Sequence, residues 1–226
     1  MQVVLTIMLI GAIAAASVSF VVMGLAQMRR TRALARRAHG AGLKFSGDDP
    51  FDMPRRYANF SLIALGHSPQ AHNVSYGRLA GWLVRTFDFH YEIGHGPRRI
   101  TRHYSVVVAE TDLDLPAVTI WNNRDAEYAP LAIRQSGNHV ACWTFIGDER
   151  LARTIAHVGW PLAESGFSAE TCGSVVMFCI CARRSTKRTS RLLDVATAVL
   201  RTLSEMPGSD PPETTERPQP ALPEGR

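Results

Sequence analysis

The chain begins with a long apolar stretch and continues with alternating apolar and polar positions. Apolar residues at helical spacing follow, before a Pro- and Glu-rich end. Residues 3–27 carry no charge. As a helix rising about 1.5 Å per residue, this stretch covers about 37 Å, more than the roughly 30 Å hydrocarbon core of a bilayer. Nothing basic precedes the stretch, which argues against a cleaved signal peptide. We therefore predict a transmembrane helix within residues 1–27.

The middle of the chain contains two runs of period-2 alternation, at residues 83–93 and 100–110. The loop between them holds two glycines, so the runs predict a β-hairpin. When Ile93 opposes Ile100, the numbers of opposed residues sum to 193 and the apolar sides of the two strands coincide. This register turns one set of side chains towards a core: Phe87, Phe89, Tyr91, Tyr104 and Val106.

The remaining patterns complete an α+β fold. Asp148 is placed to cap a helix that Pro161 ends, and Ser190 opens a last helix with apolar residues at helical spacing. Further strands are predicted at Ala117–Trp121, His139–Ile146 and Ser174–Ala182. The sequence thus predicts an N-terminal transmembrane helix followed by a domain, residues 45–204, with an antiparallel β-sheet packed by helices. The Pro- and Glu-rich residues 205–226 are typical of a disordered tail.

Positive charge is concentrated directly after the apolar stretch. Residues 28–44 hold six basic residues and no acid, whereas the whole chain has a net charge of only +5. The residues that follow are nearly balanced in charge, so a nucleic-acid partner is not expected. Five arginines share one side of a predicted amphipathic helix, where they would contact anionic lipid headgroups: Arg29, Arg30, Arg32, Arg36 and Arg37.

The same arginines predict the topology of the chain. Basic residues that flank a transmembrane helix stay on the cytoplasmic side. We therefore expect a single-pass protein of the bacterial inner membrane, with the N-terminus outside and the domain in the cytoplasm. Small residues at Gly11, Ala15 and Ser19 would also permit weak homo-oligomerisation through the span. The four cysteines, Cys142, Cys172, Cys179 and Cys181, are interpreted as reduced core thiols.

One run of the sequence resembles a known family. It comprises Gly77, Gly81, Val84, the Phe87-Asp88-Phe89-x-Tyr91 strand, Gly94-x-Gly96, Thr101 and Ser105-Val106-Val107. This run resembles bacterial membrane-anchored proteins from GC-rich genomes that have one transmembrane helix, a basic segment and a small α+β domain. The resemblance implies that architecture and brings no assigned activity or catalytic residues.

The hairpin also supplies the candidate chemistry. In the 193 register His90 faces His103, with Asp88 on the same side, and two imidazoles with a carboxylate can ligate a divalent metal ion. The alternative is a polar strand face of ordinary composition, turned to solvent or to an interface. The chain has no P-loop, G-x-S-x-G elbow or HExxH motif, and no cofactor is expected. The leading hypothesis is a binding or scaffolding module near the bilayer, and the alternative is a membrane-tethered enzyme that uses the polar hairpin face.

Overall fold

The computed structural model describes residues 2–181 and 186–205, without the side chains of residues 2–7 and 186–188. It is an α+β protein with a long apolar N-terminal helix and an antiparallel sheet packed by helices, as predicted. The helices are α1 (Gln2–Gly40), α2 (Met53–Arg56), α3 (Leu131–Ser136), α4 (Glu149–Gly159) and α5 (Thr186–Ser204). The strands are β1 (Lys44–Ser46), β2 (His67–Leu79), β3 (Trp82–Ile93), β4 (Ile100–Asn122), β5 (Asn138–Val140), β6 (Trp143–Gly147) and β7 (Phe167–Cys181).

The sheet is built around β4. Its strands follow the order β1-β2-β3-β4-β6-β5, and β7 also pairs with β4. Both faces of the sheet are buried because α4 and α5 cover one side and the segment that contains α2 covers the other. The first core contains Trp143, Phe167 and Phe178, and the second contains Phe60, Phe87 and Phe89.

The β3–β4 hairpin has the predicted register. All paired positions from Leu83↔Glu110 to Ile93↔Ile100 sum to 193, and the five predicted inward side chains lie in the second core. The opposite face differs from an ordinary solvated face, however. Thr86 and Ser105 on that face are 7% and 1% exposed. They are buried because α1 and α5 cover part of it, which the alternation of two strands cannot indicate.

Three strand predictions were wrong in extent. Residues 117–121 are the end of β4 instead of a separate strand, since the pairing with β7 continues through irregular register near Leu115. Residues 139–146 form two strands, β5 and β6, which pair with each other across a tight turn at Ala141, a residue with φ of 50°. The predicted strand at 174–182 begins earlier, at Phe167, and its last residue lies outside the described residues.

The sequence analysis missed β2 entirely. This strand pairs with β3 along nearly its whole length, but the register shifts between His67 and Gln70 and again between His72 and Ser75. Such bulges insert extra residues and interrupt the period-2 alternation by which a strand is recognised. Asn73, within the second shift, has a positive φ of 53°.

Helix α1 carries the apolar stretch and the basic segment without interruption. From Met8 onward it is long and apolar enough to cross a membrane, with a mean hydropathy of 2.3, and its apolar window is not buried within the protein. A core helix of similar composition would be buried. The basic part of the helix ends at Gly40, so residues 41–44 of the predicted 28–44 helix are not helical, and Lys44 begins β1. Residues 206–226 of the predicted tail lie outside the described residues.

Helix α4 follows its sequence signals closely. Asp148 accepts a hydrogen bond from the Leu151 N–H at 2.7 Å, and the helix ends at Gly159, before Pro161. We expect Asp148→Ala to lower the free energy of unfolding by about 1 kcal/mol, since one N–H of the first turn loses its partner. Urea unfolding of the full chain in mild detergent measures this change. Glu149→Ala removes only an exposed pair with Arg153, so equal losses in the two variants would refute the capping role.

Candidate functional site

The candidate site lies where the basic end of α1 packs on the polar side of the β3–β4 hairpin. Arg30 contacts both carboxylate oxygens of Asp88, at 2.9 and 2.8 Å, and the two side chains are 14% and 19% exposed. Asn73 of β2 donates a third hydrogen bond to Asp88 at 2.8 Å, and Thr31 contacts the amide oxygen of Asn73 at 3.4 Å. One carboxylate therefore joins α1, β2 and β3.

Apolar packing continues the contact along α1. Leu34 and Ala38, one and two turns after Arg30, are 9% and 5% exposed. They belong to the side of the basic helix that the sequence predicted to be apolar, and this side faces the protein. The partly buried Arg30–Asp88 pair and this apolar stripe together hold the last turns of α1 against the domain.

The five predicted lipid-contacting arginines are therefore not equivalent. Arg29, Arg32, Arg36 and Arg37 are exposed. Arg30 is not available to lipid in the same way, because its guanidinium is committed to Asp88 within the protein. Helical spacing placed Arg30 with the other arginines, and its partner is 58 residues away in sequence, so no local pattern indicated the pairing.

Three histidines form a row beside this contact. His90 and His103 are direct cross-strand partners with ring centroids 5.5 Å apart, as the register predicted. His72 of β2 stacks on the other side of His90, with centroids 5.4 Å apart. The sequence analysis missed His72 because it missed β2. His95 of the hairpin loop lies elsewhere and stacks on His67 at 5.0 Å.

The three histidines line a cleft of about 630 Å³ between α1 and the sheet. The other polar side chains of its wall come from α1, the β1–β2 region and the strand ends, and they include Gln27, Asp48 and Glu92. Imidazole, amide, hydroxyl and carboxylate groups in this wall offer hydrogen-bond donors and acceptors together. This composition fits a polar ligand with groups of both kinds better than a simple anion.

The structure brings the three residues of the predicted metal site together, but Asp88 has a different role from that of a metal ligand. His90, His103 and Asp88 share one face, but both oxygens of Asp88 are engaged by Arg30 and Asn73. Across the described ranges, no group of three or more His, Cys, Asp or Glu side chains is arranged to hold a metal ion. The contacts of Asp88 are those of a carboxylate that positions α1.

A second charged cluster lies on the opposite face of the sheet. The buried Arg85 guanidinium contacts Glu110 and donates to the Tyr57 hydroxyl at 2.8 Å. Tyr57 in turn donates to Glu110 at 3.1 Å, and Arg56 adds a contact at 3.2 Å. Burial alone would raise the pKa of Glu110, but the charge and hydrogen bond of Arg85 lower it overall. The cluster ties the segment containing α2 to β3 and β4.

A third network anchors the turn after β4. Tyr104 donates to Asp125 at 2.6 Å, and Arg102 contacts the same carboxylate while lying 3.6 Å from the Tyr128 ring centroid. Burial, offset in part by the neighbouring Tyr104 hydroxyl, raises the pKa of Tyr91 to about 12. Burial also raises the pKa of Tyr104, so Tyr91 and Tyr104 stay protonated at neutral pH and serve the packing of this network.

The cysteines agree only in part with the prediction of core thiols. All four are free. Cys179 is buried, and burial raises the pKa of its thiol. Cys142 and Cys181 are partly exposed, and Cys172 is exposed, so the prediction was wrong for Cys172. The next residue, Gly173, has a φ of 59° and pairs with Leu115, where the register between β4 and β7 is irregular.

The fold and the site together define an α+β protein in which a helix long and apolar enough to cross a membrane runs directly into a sheet-based domain. No protein-family model matches the chain, and no curated protein matches it. Among solved structures, the crystal structure of the mycobacterial trehalose monomycolate transport factor A is similar, with a TM-score of 0.52 and 12% sequence identity. The match covers 76% of this chain and 94% of that one. At this identity the similarity shows a shared fold.

Proposed function

We propose that this protein is a single-pass protein of the bacterial inner membrane whose cytoplasmic domain is a binding module in transport at the bilayer. The observation that carries the proposal is the continuity of α1, which joins the apolar stretch to a docked segment at Arg30 and Leu34. A module fixed in this way holds its cleft close to the end of the membrane span. The neighbour with the same fold is by name a transport factor, which supports the same class of role.

The exposed arginines contribute to this role from the membrane side. Arg29, Arg32, Arg36 and Arg37 would contact anionic headgroups and hold the domain on the cytoplasmic side. Membership of the membrane-anchored family that residues 77–107 resemble is part of the same proposal. So is weak self-association through Gly11, Ala15 and Ser19.

The test identifies what the cleft holds in a native membrane. The full chain is extracted in polymer-bounded membrane discs, and its co-purified lipids and proteins are quantified by mass spectrometry. The cleft variant carries His90→Ala and His103→Ala, and Arg78→Ala, an exposed residue at the far end of the β2–β3 hairpin, is the matched control. We expect at least one lipid or membrane protein to be enriched with the wild type and the control and to fall about tenfold with the cleft variant. Identical profiles for all three would overturn the proposal.

The concave shape of the cleft favours a second candidate, the membrane-tethered enzyme, over a flat docking face. Under this alternative the imidazoles of His90 or His103 would transfer protons to or from a bound substrate. The two functions separate in one measurement. Conversion of the co-purified molecule by the wild type, lost in His90→Ala while binding persists, would establish the enzyme; binding without conversion supports the module.

A further inference from the structure

We propose that the tip of the β3–β4 hairpin, residues 94–100, is a second membrane contact that lies in the headgroup region of the leaflet from which α1 emerges. In this arrangement Ile100 meets the apolar boundary and Arg98 meets lipid phosphates. The proposal rests on the membrane anchorage of α1, and it adds a contact that α1 does not contain. Three observations carry it: the relative direction of α1 and β3, the reach of the hairpin, and the character of its tip.

The direction follows from successive contacts along α1 and the sheet. Just after α1, Leu43 lies against Gly77, where an added Cβ would stand 3.0 Å from its side chain. Towards the membrane span, Arg30 contacts Asp88. Gly77 pairs with Val84, four residues before Asp88 on β3. From Leu43 to Arg30 the chain approaches the span, and the positions it contacts advance along β3 from the level of Val84 to Asp88. α1 and β3 therefore approach the span and the hairpin tip in the same direction.

The reach of the hairpin exceeds that of the docked helix. From Asp88 to Ile93 the strand advances about 17 Å at about 3.3 Å per residue, while α1 advances only about 4.5 Å from Arg30 to Gln27. Gln27 is the residue directly before the basic segment, residues 28–44, and it lines the same cleft as Glu92. The tip continues past Glu92, so it extends beyond Gln27 towards the span. The headgroup layer of one leaflet is about 5–8 Å thick, which the tip can reach.

The tip has the character of an interfacial element. All side chains from residue 95 to residue 100 are exposed, and Ile100 is 50% exposed. Arg98 and Arg99 provide positive charge, although Arg99 also contacts Glu92 at 3.3 Å. A single exposed isoleucine is ordinary on a protein surface. Beside two arginines and level with a membrane boundary, it matches the apolar-plus-basic pattern of interfacial segments.

The tip is also braced. His67 at the start of β2 makes a 2.8 Å hydrogen bond to the carbonyl of Gly94, and its ring stacks on His95. Gly94 itself has a φ of 77°, and a Cβ there would lie 2.9 Å from the carbonyl oxygen of Arg98. These contacts hold the loop in one shape. The domain would then meet the bilayer at two points, α1 and the tip, with the cleft between them.

The test is photocrosslinking of the full chain in vesicles of phosphatidylcholine with about one-third phosphatidylglycerol. A photoreactive phenylalanine analogue is placed at Ile100, at Phe20 of the apolar stretch as the positive control, or at Arg78 as the negative control. We expect lipid adducts at Ile100 within about threefold of Phe20 and about tenfold above Arg78. Adducts at Phe20 with Ile100 at the level of Arg78 would overturn the tip contact while leaving the anchorage intact. No adducts at Phe20 would overturn the anchorage itself.

A second arm tests the charge. Arg98→Glu is combined with the photoreactive group at Ile100, and Arg78→Glu is the matched reversal on β2, opposite Leu83 at the start of β3. We expect Arg98→Glu to reduce the yield of lipid adducts about fivefold or more in the anionic vesicles. In vesicles of phosphatidylcholine alone, the yield should change little. Arg78→Glu should have no effect in either. Equal yields from the two variants would overturn the assignment of Arg98 to lipid phosphates. Both side chains are exposed, so thermal unfolding should show that both variants remain folded.

Discussion

Asp88→Ala is expected to lower the free energy of unfolding by about 3 kcal/mol, because it leaves the mostly buried Arg30 guanidinium without its partner. Asp88 also accepts the hydrogen bond from Asn73, so the substitution loosens α1, β2 and β3 at one point. Urea unfolding of the full chain in mild detergent measures the loss. Hydrogen exchange should accelerate across residues 30–40, where α1 packs on the domain.

Two variants control this experiment. Arg29→Ala removes a neighbouring but exposed arginine and should change the stability by less than about 1 kcal/mol. Arg30→Ala with Asp88→Ala removes both charges, so the double variant should be less destabilised than the sum of the two single variants. If Asp88→Ala were as mild as Arg29→Ala, the ion pair would not be what holds α1 on the sheet.

Glu110→Gln is expected to lower the free energy of unfolding by about 2–3 kcal/mol at neutral pH. The substitution removes the charge that compensates Arg85, which is 7% exposed, while Glu110 itself is partly exposed and its contribution is reduced accordingly. Arg56→Ala is the matched control. It removes an exposed partner of the same carboxylate and should change the stability by less than about 1 kcal/mol.

The pH dependence of this difference has a definite sign. In the folded protein the pKa of Glu110 is below its ordinary value of 4.5. The stabilisation from its charge is therefore fully present above pH 4.5 and is lost as the pH falls through the lowered folded-state pKa. The gap between wild type and Glu110→Gln should be constant from about pH 6 to 8 and narrow below pH 4.5. A gap that widened on acidification would contradict the assignment.

The Arg30–Asp88 and Arg85–Glu110 ion pairs explain how the sheet carries charged side chains on both faces while both faces remain covered. Arg30–Asp88 secures α1 on one face, and Arg85–Glu110 secures the segment with α2 on the other. Asp88 and Arg85 both belong to β3. This strand therefore supports α1, the second core and the histidine-lined cleft.

The hairpin shows what sequence patterns can predict. Its two strands alternate without interruption, and a shift of one residue would bury the polar set, so the alternation determined which side faces the core. The pairing of His90 with His103 followed from placing Ile93 opposite Ile100 across the loop, and the structure has this register. Helix α4 was equally predictable, since its N-terminal cap at Asp148 and its end before Pro161 are local sequence signals. The apolar stretch at the start of the chain likewise needs only length and composition to be read as a span.

Other elements left no such local signal. Strand β2 escaped prediction because two bulges break its alternation, and His72 was lost with it. The full length of β4 was hidden by Pro116 and the irregular pairing around Leu115. The cleft forms only where the end of α1 packs on the β2–β3 hairpin, and Arg30 is 58 residues away in sequence from its partner Asp88.

By itself, the sequence determined the α+β class, the apolar N-terminal helix, the basic segment after it and the register of the β3–β4 hairpin. Each of these depends on spacing or charge within a few tens of residues, and such patterns survive without a tertiary structure. Only the tertiary structure decided that Arg30 binds Asp88 instead of remaining with the exposed arginines, that His72 extends the His90–His103 pair, and that a cleft opens beside Gln27. These features join residues far apart in sequence, and their partners are selected by packing.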